Sequence, residues 1–164
     1  MKTRSGLLPS LGLAALALLY RAILRGRYYG AEEEDYGNLG LIRGALDSGF
    51  TYIETQHMPL FTSLAAAVTG LVGDAELGGE LVAMTSGAAT VGLASWLGWR
   101  WFRPHVGLLA GVLLCFSPLA ALHSATPLRI SLFGFLTLLG VYLAGERAPI
   151  RAGLVLSLAF LTRF

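Results

Sequence analysis

Long apolar runs alternate with short polar breaks along this chain, except for one wide polar stretch near the start. Lys2 and Arg4 lead into an apolar run from Leu7 to Leu24 that is interrupted only by Arg21. A secretory signal opens in the same way, but this run exceeds the usual apolar centre of one and no Ala-x-Ala cleavage site follows it. The pattern predicts a retained first span over residues 7–25, with Arg21 and Arg25 snorkelling at its far end. A loop over residues 26–80 separates it from four further spans, at about 81–99, 105–122, 126–144 and 150–163. The fold class expected is all-α: a polytopic membrane protein with about five transmembrane helices and interfacial helices in the first loop.

The loop carries structure of its own. Asp35 to Asp47 reads as a short helix, with acids at the start that suit the helix dipole and Ser48-Gly49 as the stop. Leu39, Ile42 and Leu46 form its apolar stripe. Gly37, Gly40 and Gly44 form a bare face, suited to close approach by another helix or by a ligand, and each glycine costs a helix about 1 kcal/mol relative to alanine. Phe50-Thr51-Tyr52-Ile53 is extended in character. Pro59 opens a second helix, Leu60 to Val72, too short to span and suited to the interface, which Gly73-Asp74 ends. Further on, Trp96, Trp99, Arg100, Trp101, Phe102 and Arg103 make an interface anchor. Gly107-x-x-x-Gly111 is a close-packing motif, and Ser117-Pro118 predicts a kink.

Composition agrees. Hydrophobic residues make up 55% of the chain and charged residues 13%, against about 25% charged in a soluble domain, and the mean hydropathy is +0.65. A net charge of +2 without a basic stripe excludes nucleic acid as a partner. The single cysteine, Cys115, sits in an apolar run and reads as a small buried residue. Five spans would divide the twelve basic residues equally. Lys2, Arg4, Arg100, Arg103, Arg147 and Arg151 fall on the N-terminal side, and Arg21, Arg25, Arg27, Arg43, Arg129 and Arg163 on the other. The short loop at Arg100 and Arg103 favours a cytoplasmic N-terminus.

The chemistry concentrates in the first loop. Glu32-Glu33-Glu34-Asp35 holds four of the ten acids, and a carboxylate block is too costly to bury in hydrocarbon. On spacing alone these acids cap a helix and stay solvated. The order of motifs adds to this. Glu34-Asp35 follows the first span, with Arg43 eight residues beyond Asp35. His57-Met58-Pro59-Leu60-Phe61, Leu71-Val72-Gly73, Ser117-Pro118-Leu119 and Leu161-Thr162-Arg163 follow. The set resembles the N-terminal part of a GT-C membrane glycosyltransferase, in the branch of protein O-mannosyltransferases and aminoarabinose transferases. Departures are the reversed order of the acidic pair, Met58 for a proline, Glu80 where the family has arginine, and Leu128-Arg129 where an acid is common.

The resemblance implies transfer of a sugar from a polyprenyl-phosphate donor, at the membrane surface, to an acceptor on the non-cytoplasmic face. It implies Glu34 and Asp35 as the catalytic carboxylates, either as general base or holding a divalent metal against the lipid phosphate. Adjacent helical residues point about 100° apart, so only one of the pair would face the reacting atom. Arg43, His57 and Arg129 are the implied substrate-binding residues. On the bare sequence, His57 is a packing residue and Arg129 either pairs with a lipid phosphate or snorkels. Because the family continues into further spans, residues 1–164 correspond to its N-terminal transmembrane portion and are expected to be inactive alone. The competing reading is a non-enzymatic membrane protein, a small transporter subunit or scaffold; span interiors of Gly, Ser, Thr and Cys count against transport. Cysteines introduced singly by Asp47→Cys and Arg103→Cys are expected to label from opposite sides of the membrane, Asp47→Cys from outside. Labelling of Arg103→Cys from outside would reverse the topology.

Overall fold

The computed structural model describes residues 6–25, 33–50 and 59–163, with side chains from residue 37 onward in the second of these segments. The described residues form eight helices and no strand. They are α1 (Leu7–Leu24), α2 (Glu33–Asp47), α3 (Pro59–Val72), α4 (Ala75–Trp101), α5 (Pro104–Phe116), α6 (Pro118–Ala125), α7 (Ile130–Gly145) and α8 (Pro149–Phe160). The all-α expectation holds.

The helix boundaries follow from local chemistry. Pro59, Pro104, Pro118 and Pro149 stand at helix starts, where a missing N–H costs nothing. Helix α2 ends at the predicted stop: Gly49 has φ +59° and Phe50 φ +64°, and the Phe50 N–H returns to the Ala45 carbonyl at 2.8 Å. Gly73, at φ +78°, ends α3. Asp74 then caps α4, accepting the Leu77 N–H at 3.0 Å. That hydrogen bond, foremost, holds the exposed Asp74 carboxyl below its ordinary range. The cap is therefore fully formed above the ordinary carboxylate pKa and fades as pH falls through the lowered value.

Helix α4 is the axis of the molecule and packs against α1, α2, α3, α5, α6 and α7. Helices α1 and α5 run antiparallel to it. At one end Gly6 meets Trp99, and at the other Arg25 reaches Glu80. Helices α7 and α8 form an antiparallel hairpin in which Gly140 faces Leu156. The packing relies on missing side chains. A Cβ on Gly107 would stand 2.3 Å from the Ser95 carbonyl oxygen, and one on Gly98 2.7 Å from the Gly107 Cα. The glycine motif on α5 is thus pressed onto α4, as its spacing implies. Cys115 is fully buried between α1, α4 and α5. A second apolar cluster joins α2, α3, α4, α7 and α8 through Ile42, Phe61, Ala65, Val82, Leu132 and Ala159.

Several expected boundaries change. The second span begins at Ala75, because Asp74 starts a helix as well as following one, so residues 75–80 belong to α4 and not to the loop. The third is broken: α5 and α6 meet at 58° across Ser117, where Pro118 cannot donate to the preceding turn. The next helix begins at Ile130, since Thr126 closes α6 in an extended conformation. By length and composition, α1 and α4 are long and apolar enough to cross a membrane, and α5 with α6 makes a third if the bent pair is one span. That is fewer than five. Helices α7 and α8, of 16 and 12 residues, reach roughly 24 and 18 Å at 1.5 Å per residue, against about 30 Å of hydrocarbon. Exposed leucines cover the outer surfaces of α1 (Leu8, Leu19), α5 (Leu109, Leu113) and α8 (Leu154), as an apolar solvent requires. Among the described residues the bare face of α2 has no helix against it: a Cβ on Gly37, Gly40 or Gly44 would meet none of their atoms within 4 Å.

Gly107→Ala is expected to lower thermal stability in detergent by about 1–3 kcal/mol, because its methyl group would press on backbone that cannot yield. Gly12→Ala, with open space around it, should be neutral or stabilising. Equal effects of the two substitutions would refute the close-packing account.

Candidate functional site

The candidate site lies at the end of the bundle where α1 finishes and α4 and α7 begin. Arg21 of α1 and Arg25, which caps its end, are fixed there. Arg21 is 1% exposed. Its Nε donates to the Ser124 hydroxyl of α6 at 2.5 Å, and its Nη1 to the Ala17 carbonyl at 3.0 Å. Ser124 in turn donates to the Ala120 carbonyl. Gly87 of α4 makes room for this junction, since a Cβ there would stand 2.5 Å from the Ser124 Cβ and 3.2 Å from the Arg21 Nε. Arg21 therefore does not snorkel as expected; a missing side chain on the facing helix opens a polar niche for it. Arg25, one turn on, is partly exposed and pairs with Glu80, whose side chain is buried. Glu80, where the resembling family has arginine, is answered by this cation.

The acidic helix is tied to the same end. Asn38 of α2 is buried, and its Nδ2 donates to the Pro127 carbonyl at 3.1 Å. Pro127 lies over Gly79 of α4, close enough to exclude a side chain there. Glu34 sits one turn before Asn38, so the start of α2 lies beside the 126–129 segment, although the side chains of Glu34 and Asp35 lie outside the described residues. Arg129 stands at the N-terminal end of α7. Arg163, just past α8, places its guanidinium 5.3 Å from the centre of the Phe133 ring. A cavity of about 370 Å³ opens here, lined by Arg129, Ile130, Phe133 and Arg163. Two cations over an apolar floor suit an anionic group carried on a hydrocarbon chain.

Of the residues singled out from sequence, Arg129 lines this cavity. Arg43 is exposed on α2 and does not line it. His57 and Glu32 lie outside the described residues. No cluster of three or more His, Cys, Asp or Glu able to hold a metal occurs among the described residues. His123, near the end of α6, has a buried Nδ1 without a hydrogen-bond partner among the described residues. Sequence reasoning passed over Arg21, Glu80, Ser124 and Arg163 as site residues. The available signal was that an ionisable residue inside an apolar helix must find a partner, which applies to Arg21 and Glu80.

No family profile, curated protein or solved structure matches the chain.

Ser124→Ala should remove the acceptor of the Arg21 Nε and lower stability by about 1–3 kcal/mol, the cost of leaving a buried donor unpaired. Thermal unfolding in detergent measures this. Arg21→Met combined with Ser124→Ala should lose less than the sum of the two single substitutions; strict additivity would mean that the contact carries no energy.

Proposed function

We propose that this chain is the N-terminal membrane portion of a lipid-linked glycosyltransferase. In this reading α1, α4, α5–α6, α7 and α8 are the five membrane passes, and α2 and α3 lie at the outer surface. The cavity between Arg129 and Arg163 is the observation that carries the proposal. It joins paired guanidinium groups to an apolar floor at the bundle end, as a polyprenyl-phosphate donor needs: phosphate on the arginines, isoprenoid chain along the bundle. Arg163 of the Leu161-Thr162-Arg163 motif meets there Arg129, which stands where the resembling family commonly has an acid, although the two are far apart in sequence. The Asn38–Pro127 hydrogen bond supports the role of α2, because it sets the acidic start of that helix beside the same segment.

The step proposed is attack by an acceptor hydroxyl on the anomeric carbon. Its proton passes to one carboxylate of the Glu34-Asp35 pair, and the polyprenyl phosphate leaves against Arg129 and Arg163. Glu34 is the favoured base, with Asp35 placed about 100° around the helix from it. A divalent metal held by the pair would serve the same departure by neutralising the phosphate. Arg43 and His57 belong to acceptor or donor binding in this scheme. The span pattern also fits a scaffold, in which these acids only cap α2.

The two readings separate on Glu34→Gln, assayed in the intact membrane protein containing this chain with a panel of polyprenyl-phosphate sugars. Loss of a general base is expected to cut turnover about 100- to 10,000-fold, with Glu32→Gln nearly silent. If Glu34→Gln and Asp35→Asn both retain turnover in a folded protein, the carboxylate mechanism is wrong.

A further inference from the structure

The opposite end of the bundle carries a second concentration of charge that the proposed chemistry does not use. The α4–α5 turn and the α7–α8 turn lie side by side there. Arg100 Nη2 donates to Glu146 Oε1 at 2.7 Å, and a Cβ on Gly145 would stand 3.4 Å from the Trp101 ring. Arg100 is held between Trp96 and Tyr142, with its guanidinium 5.3 and 5.9 Å from the ring centres. Its charge is answered by Glu146. Arg103 and Arg147 are exposed on the same two turns and Arg151 at the start of α8, and none of the three has an acidic partner among the described residues. Exposed Trp101, Phe102 and Ile150 are interleaved with them. Arginines among exposed aromatic and aliphatic side chains are suited to headgroup depth.

A groove leads inward from this surface. It lies between α1 and α4, has a volume of about 260 Å³, and is lined mainly by Leu7, Leu11, Ala14, Ala89, Gly92 and Trp96. Ser10, its one hydroxyl-bearing wall residue, is already engaged, donating to the Gly6 carbonyl and sharing a hydrogen bond with the Ser95 hydroxyl. From Leu7 to Ala14 it runs roughly 10 Å along α1 at 1.5 Å per residue. Its mouth is Trp96, the ring under the Arg100 guanidinium. Both walls belong to helices long and apolar enough to cross a membrane; spanning one, they would set the groove in hydrocarbon and its Trp96 end toward the headgroups.

We propose that this end binds an anionic phospholipid, with the headgroup phosphate on Arg103, Arg147 and Arg151 and one acyl chain in the α1–α4 groove. The occupant follows from charge and length together. Three cations without an acidic partner among the described residues select a negative headgroup over a zwitterionic one, and an apolar groove that reaches Trp96, under Arg100 of the same charged end, accepts a chain. A free phosphate would satisfy only the first half, and a partner helix only the second.

The chain carries its own reporters, because its three tryptophans, Trp96, Trp99 and Trp101, all lie at this end. The purified chain, reconstituted in phosphatidylcholine bilayers, is titrated with chain-brominated phosphatidylglycerol or chain-brominated phosphatidylcholine while tryptophan quenching is followed. Phosphatidylglycerol is expected to associate more tightly, by roughly five-fold for each arginine engaged, and the difference should shrink in high salt. The triple substitution Arg103→Gln, Arg147→Gln, Arg151→Gln should bring the two lipids to parity, and Ala89→Phe, which fills the groove, should weaken phosphatidylglycerol quenching with the arginines intact. Inorganic phosphate should not compete. Circular dichroism checks folding; if the triple variant does not fold, Arg103→Gln alone should remove one five-fold step. Equal quenching by both lipids in the unmodified chain, or a preference that survives loss of the arginines, overturns the headgroup assignment. Quenching unchanged by Ala89→Phe, or competition by inorganic phosphate, overturns the groove.

Discussion

Everything in this molecule depends on how closely other helices can approach α4. In an apolar solvent the hydrophobic effect does not drive helices together, so contact must come from dispersion at short range and from hydrogen bonds between helices. Helix α4 meets that requirement with glycine. Gly78 admits Thr69, Gly79 admits Pro127, Gly87 admits Ser124, Gly92 admits Ala14 and Gly98 admits the backbone of Gly107. Five neighbours use five separate gaps; a single methyl group would close four of them and crowd the one at Gly92. Isolated glycines weaken a helix, so the regularity of α4 over 27 residues is itself maintained by what packs into it.

Polar contacts then fix the depth and rotation of α1. From the first turn to the last it is joined to its neighbours by Ser10 with Ser95, Arg21 with Ser124 and Arg25 with Glu80. These contacts are spaced along one side of the helix, and leucines occupy the other. An apolar surface can slide against its neighbours with little change in energy, whereas a guanidinium whose only described acceptor outside its own helix is one hydroxyl cannot. The charged pair matters more for register than for strength, because Arg25 stays partly exposed and solvent weakens its attraction to Glu80.

The sequence showed helix identity well and helix ends less well. Proline and glycine punctuation placed the starts of α3, α5 and α8 within a residue or two and the ends of α2 and α3 correctly, because those signals are local. The start of α4 was missed because Asp74 serves two helices at once, and Glu80 was assigned to a loop because a carboxylate in an apolar run looks like a boundary. Its partner lies 55 residues away, which no local pattern reveals. The same holds for the site. Arg129 stood out for its charge in a short turn, but its pairing with Arg163 around one cavity required α7 and α8 to fold back on each other. The glycine face of α2 looked like a packing surface, and among the described residues nothing packs on it, because the helix turns its Ile42 and Ala45 side toward the bundle instead.

The bond between Arg21 and Ser124 also has a consequence in time. The two residues are separated by 103 positions, and chains are made at about 5–20 residues per second. For roughly 5 to 20 seconds of synthesis, α1 exists without the hydroxyl that will receive its guanidinium. During that interval Arg21 must reach water or headgroups by extending its side chain or by shifting the helix along its own axis. The α4–α5 hairpin, whose contacts are local, can close before then. The position of α1 is thus settled only after α6, a helix of only eight residues made much later, has emerged.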